Sequence, residues 1–229
     1  MYTFDKEAAK IRIAKNAADY IDYLAGEKTF VLNLGVGIPT LIADYVTNEN
    51  IFIEAENGIL GVGPLAKPGE EDFNLINAGR QLVTEDPGCC YFASVDSFGM
   101  MRGGHMHATV LGAFSVDEDA NISNWIIPGG LQLGVGGAMD LVTGAQNVIV
   151  AMTHCDKYGA TKLVKKYKLP VTGFNEVDYI VTEYCLMKRD RDINKFVLLR
   201  KSDEITLEEL DSIIEFDYDV SPDLQPMVK

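Results

Sequence analysis

The chain has 229 residues, 47% of them hydrophobic, and a formal net charge of −14 at pH 7. That much apolar material supports a sizeable core without disulfide or metal staples. The acidic balance excludes a general nucleic-acid or anionic-membrane binder, although local cations and helix N-termini can still hold an anionic small ligand.

Residues 5–25 read as a helix, because Ala8, Ile11, Ala14, Ala18 and Ile21 recur at three- and four-residue steps and Gly26 follows as a stop. The N-terminus over residues 1–20 is charged from Asp5 onward and lacks an apolar signal core, and no apolar run is long enough to span a bilayer, so a cytoplasmic protein is expected. Thr29–Leu34 reads as a strand. Gly35-Val36-Gly37 turns the chain, and Pro39 suits the first turn of a helix running to about Val46. A polar turn at Asn48–Asn50 leads to a second apolar strand from Ile51. Strand, helix and strand with short connections predict a parallel sheet. The second strand ends in Glu56-Asn57-Gly58, with a glycine loop expected at Gly61 and Gly63 and a stop at Pro64.

Beyond Pro64 the chain reads as loop through Asp72. Short β-prone pieces follow at 73–77, 81–84 and 89–92, then a helix capped by Ser94 and running through Met101. Strands are expected at 109–116, 147–152, 178–182 and 196–199, with a shorter apolar piece at 123–127. A second glycine loop, Gly134–Gly137, opens a helix to about Gly144, and Thr206-Leu207-Glu208-Glu209 reads as a capping box. The tail from Ser221 reads as irregular, and Asn121-Ile122-Ser123 as a turn. With no repeat or linker, residues 1–229 are expected to form one α/β domain: a single open, mostly parallel sheet with flanking helices.

Carboxylates at strand ends matter because open α/β sheets bind ligands at the carboxyl ends of their strands. Gly35-Val36-Gly37 followed by Glu54 or Glu56 has the order of a dinucleotide site, but Thr40 stands where the third glycine belongs. A phosphate P-loop and a GxSxG nucleophile elbow are absent. His105 and His107 could share a strand face, yet nothing nearby supplies a third metal ligand. The pair His154-Cys155 diverges on extended backbone, the four cysteines read as free thiols, and Lys162, Lys165, Lys166 and Lys168 read as a solvated helix face. Glu56 remains as a nucleophile. A carboxylate attacks an activated acyl group when a dry site strips its hydration and backbone N–H groups receive the oxyanion. Two glycine loops can build that setting, and a thioester supplies the leaving group.

Six strings in order, NLGVGIPT (33–40), ENGILGVGP (56–64), LINAGR (75–80), DSFGMMRGGH (96–105), NWIIPG (124–129) and GVGGAMDL (134–141), resemble the β subunit of the family I coenzyme A transferases, of the acetoacetate/butyrate and 3-oxoacid types. The resemblance implies that Glu56, and not Glu54, is the catalytic glutamate, forming a glutamyl-CoA thioester in a ping-pong exchange between an acyl-CoA and a carboxylate. It implies Gly137 as an oxyanion donor, and Asn33, Arg80 and Asn124 beside bound CoA, with Arg80 where relatives often carry Lys. It also implies a fold like that of ribose-5-phosphate isomerase A. CoA would be a substrate, with no tightly bound cofactor or metal. An α subunit, two copies of each, would complete the site. The rival expectations are a non-catalytic ligand-binding module of the same fold and a nicotinamide-dependent oxidoreductase.

Overall fold

The computed structural model describes residues 5–130, 132 and 134–229. Its first element is helix α1, Lys6–Ala25. The Asp5 side chain caps it by accepting from the N–H groups of Glu7 and Ala8, and Gly26 ends it at φ 53°. Ile13, Ala14, Ala17 and Ile21 give α1 an apolar stripe.

That stripe lies on a ten-stranded sheet. Its strands are β1 (Phe30–Leu34), β2 (Ile51–Ala55), β3 (Ile59–Leu65), β4 (Val83–Tyr91), β5 (Ala108–Leu111), β8 (Val148–Ala151), β10 (Tyr179–Val181), β11 (Cys185–Asp190), β12 (Lys195–Lys201) and β13 (Tyr218–Pro226). The order is β13-β12-β11-β10-β8-β5-β1-β2-β3-β4. The centre, from β10 through β8, β5 and β1 to β2, is parallel. Antiparallel hairpins extend it on both sides, through β3 and β4 at one edge and β11 and β12 at the other. A small three-stranded sheet joins β6 (Ser115–Asp117), β7 (Ile122–Ser123) and β9 (Leu163–Val164).

The central strands bury both faces, as parallel strands do. Ile149, Ala151, Tyr179 and Val181 pack under α1, whereas Val148, Val150 and Ile180 turn to the opposite face. There they meet residues of α2 (Ser94–Arg102), α3 (Ala138–Gly144) and α4 (Leu207–Ser212), together with the small sheet. The sheet is thus the middle of three layers, and α2 and α3 stand over the face opposite α1.

Several expectations change. The segment at Gly61 and Gly63 is strand β3 rather than a loop, and its glycines allow close pairing with β4. A Cβ on Gly61 would meet Cys89 Cα at 3.0 Å, and one on Gly63 would meet Thr84 Oγ1 at 2.6 Å. Residues Pro39–Asp44 form a 3₁₀ helix instead of an α-helix, closed by bonds such as Thr40 N–H to the Gly37 carbonyl. The N-cap of α2 is Ala93, with no side-chain cap, and Ser94 is its first residue. The strand expected over 109–116 breaks at Gly112 into β5 and β6. The supposed turn at Asn121–Ser123 runs into β7 and is buried. The tail is not irregular: β13 pairs in parallel with β12. It was illegible because it is acidic and holds Pro222 and Pro226, which an edge strand tolerates. No helix covers Lys162–Lys168.

Asp117 organises the turn between β6 and β7. Buried, it accepts from the N–H groups of Asp119 (3.1 Å), Asn121 (3.0 Å) and Tyr167 (3.1 Å), and from Asn121 Nδ2 at 3.0 Å. Asp117→Ala orphans these donors, and the expected loss is roughly 2–4 kcal/mol of unfolding free energy in a urea titration.

Candidate active site

Strand β2 carries Phe52 and Glu54 on the face toward α2, by the two-residue alternation of side chains, and Glu56 continues that face one residue beyond the strand. The chain turns sharply after Glu56 because Gly58 adopts φ 113°. A Cβ there would lie 2.0 Å from the Phe92 carbonyl oxygen, so only glycine lets this turn sit against the start of α2.

Glu56 is half-buried against the second glycine loop. The position of a Cβ on Gly137 falls 2.1 Å from Glu56 Oε2 and 3.3 Å from Phe98 Cζ. The structure therefore brings together the strand-end glutamate and the loop singled out from sequence. Gly137 is the N-cap of α3, and Gly134 and Gly136 before it have positive φ, which holds the loop's backbone close to the carboxylate. Helices α3 and α2 pack equally tightly: a Cβ on Gly144 would lie 2.1 Å from the Met101 carbonyl oxygen.

Burial pushes the Glu56 carboxyl above its ordinary range, and the charge of Asp140 on α3 adds to this. Asp140 is itself held by Arg102 at 2.7 Å, and the Arg102 guanidinium lies 5.8 Å from the centre of the Phe98 ring. No salt bridge to Glu56 forms among the described residues. A partly dehydrated carboxylate without a cation, facing a glycine backbone, is a stronger nucleophile than a solvated surface glutamate.

The remaining residues named from sequence lie in different settings. Asn33, on β1, is buried and donates from Nδ2 to Glu54 Oε2 at 2.8 Å. Asn124 is half-buried, and its Oδ1 accepts from Thr172 Oγ1 at 2.7 Å. Arg80 is exposed at φ 64°, and its N–H closes a turn to the Asn77 carbonyl. A cleft of about 330 Å³ lies beside that turn, lined by Val36, Gly37, Ile53, Ala55, Asn77 and Gln81 among others. Glu56 is not part of its wall. Asp140, Phe98 and Ser97 were missed in the sequence, although Phe98 and Ser97 fall within the string 96–105 and Asp140 within 134–141.

The other titratable candidates are structural. His107 Nδ1 accepts from the Val31 N–H at 3.0 Å. Among the described residues no group of three His, Cys, Asp or Glu side chains is placed to hold a metal ion. Lys162 is half-buried and donates to Thr153 Oγ1, and burial lowers its pKa. His154 is buried between Thr182 Oγ1 at 3.1 Å and the Ile213 carbonyl at 3.0 Å, away from Cys155. Its pKa is lowered to about 4, chiefly by burial, with Lys162 adding a smaller push. A histidine lowered in the folded state favours folding when neutral. That contribution is complete above pH ~6.5 and is lost as pH falls toward about 4. In urea titrations across that window, His154→Gln should flatten the pH dependence by roughly 1 kcal/mol per pH unit.

A model of the coenzyme A transferase family matches residues 24–209. One of the separately named subunits of the succinyl-CoA:3-ketoacid coenzyme A transferase of Helicobacter pylori is 41% identical over 189 residues, 82% of this chain and 90% of that one. The beta subunit of the acetate CoA-transferase of Haemophilus influenzae is 40% identical over 198 residues, covering 86% and 87%. Among solved structures, the acyl-CoA transferase YdiF apoenzyme from Escherichia coli O157:H7 superposes with a TM-score of 0.73 at 16% identity, over 96% of this chain and 43% of that one. The decarboxylase AibA/AibB superposes with a TM-score of 0.68 at 17% identity, over 96% and 88%. The fold is therefore shared by proteins named for different reactions. Similarity over most of the chain at about 40% identity is more specific than the fold, and by that measure the chain belongs to the coenzyme A transferase family.

Proposed function

We propose that this chain is the β subunit of a cytoplasmic CoA-transferase, that it works with an α subunit, two copies of each, and that it moves CoA between a short-chain acyl-CoA and a carboxylate through a thioester on Glu56. The observation that carries the reading is the half-buried Glu56 carboxylate lying against Gly137 just past the carboxyl end of β2, with no salt bridge among the described residues. The names of the two relatives support the partner, since each is named as a single subunit of a larger enzyme. They also support an acid of the acetate, succinate or 3-keto class.

In this reaction Glu56 attacks the acyl-CoA carbonyl. The C–S bond breaks, CoA thiolate leaves, and an acyl–glutamyl anhydride forms. The thiolate then attacks Glu56 Cδ, breaking the anhydride C–O bond and releasing the first carboxylate. The acceptor carboxylate attacks the resulting glutamyl thioester, and the returning thiolate takes the new acyl group, restoring Glu56. Each intermediate keeps the energy of the thioester, so neither ATP nor a resident cofactor is consumed. The Gly137 backbone stabilises the oxyanions that form at these carbonyl centres, and dehydration by Phe98 and the loop protects the anhydride from water. Asn33, Arg80 and Asn124 are assigned to the CoA side. Asn33 would serve it through the bonds that hold Glu54, and exposed Arg80 through charge. The test is a panel of acyl-CoA donors and carboxylate acceptors on the reconstituted complex. Parallel double-reciprocal lines with a short-chain pair support the reading, and intersecting lines count against it.

A further inference from the structure

Glu54 is 1% exposed, two residues before Glu56 on the same face of β2. It lies in register with Asn33 on β1, which lies in register with Thr109 on β5. These two neighbours are 3% and 0% exposed, so three polar side chains form a buried row across adjacent parallel strands. Such a row is costly to bury unless its groups satisfy one another. They do: Thr109 Oγ1 donates to Asn33 Oδ1 at 3.3 Å, and Asn33 Nδ2 donates to Glu54 Oε2 at 2.8 Å. The row ends on α2, where the fully buried Ser97 hydroxyl donates to Glu54 Oε1 at 2.5 Å.

Ser97 precedes Phe98, the side chain beside Gly137 and Glu56. The clamp therefore fixes two walls of the site together, the end of β2 and the helix carrying Phe98. All its partners are neutral, and no salt bridge to Glu54 forms among the described residues. Burial pushes the Glu54 carboxyl upward, with Glu56 adding and Ser97 and Asn33 opposing.

We propose that Glu54 is a positioning residue: clamped by Ser97 and Asn33, it ties β2 to α2 and holds Glu56 against Gly137. The proposal rests on Glu56 being the nucleophile. A clamp of this kind acts on the reacting geometry, where a shift of about 1 Å can cost on the order of 100-fold in rate.

The test uses the complex reconstituted with its α subunit. Glu54→Ala should lower kcat by roughly 10- to 100-fold while KM for acyl-CoA stays within about threefold. Glu54→Gln, which keeps the length of the side chain and can still accept from Asn33, should restore kcat to within a few-fold of wild type. Ser97→Ala should fall between them, and it decides the matter if Glu54→Ala does not fold. Wild-type kcat in Glu54→Ala or in Ser97→Ala overturns the proposal, and so does a Gln variant as slow as the Ala variant. Single-turnover formation of a CoA adduct on Glu56 separates the two failures. No adduct in wild type refutes the nucleophile, whereas an adduct formed equally fast by wild type and Glu54→Ala refutes only the clamp.

Discussion

Glu56→Ala is expected to abolish CoA transfer, with kcat lower by roughly 10⁴-fold or more, because it removes the atom that forms the covalent bond in the proposed mechanism. Glu56→Gln is expected to be equally inactive, since a carboxamide cannot form the anhydride. Stability should move the other way or not at all. The Glu56 carboxyl is pushed up by burial and by Asp140, so its charged form is held at a cost that the neutral amide removes. An inactive variant that melts at or above the wild-type temperature separates chemistry from folding. The raised carboxyl also fixes a pH limb. Only the carboxylate attacks, so activity should fall on acidification through a value above the ordinary glutamate range of about 4.3. A limb at or below that range would contradict the burial of the nucleophile.

Gly137→Ala is expected to lower kcat by on the order of 100-fold with a stability change of under about 1 kcal/mol. The backbone at Gly137 has φ −81°, which alanine adopts freely, so strain is not the cause. The cause is the methyl group, which would sit 2.1 Å from Glu56 Oε2. Something must move, and the flexible carboxylate moves more easily than the loop. Glu56 would then be displaced from the position where its attack and the oxyanion's backbone donors coincide. Steady-state kinetics on the complex, beside a thermal melt, check both halves. Full activity in Gly137→Ala would show that the close contact plays no part in the reaction.

The parallel centre of the fold was legible because β1, β2, β8 and β10 are apolar runs punctuated by glycine and polar turns. The capping box at Thr206 and Glu209 was legible because its residues act locally, and both halves of it form. What could not be read depends on distant partners. The segment Ile59–Leu65 looks like a loop until β4 lies beside it and gives Gly61 and Gly63 something to approach. The acidic tail becomes a strand only because β12 leaves an edge open to it. The site divides in the same way. Glu56 and Gly137 stood out as strand end and glycine loop, but nothing local places one against the other across 81 residues of chain, since 137 − 56 = 81. Asn33 was matched to a CoA contact by resemblance, and its buried bond to Glu54 emerged only from the register of β1 against β2. Lys162–Lys168 read as a helix face because lysine spacing carries no information about the backbone beneath it.

Most direct is the mass of the Glu56-containing peptide after the complex meets an acyl-CoA without acceptor. A CoA adduct on Glu56 that hydroxylamine removes, and that disappears when the acceptor carboxylate is added, is the expected result. A complex that transfers CoA without forming that adduct, and still transfers it after Glu56→Ala, would contradict covalent catalysis by this glutamate.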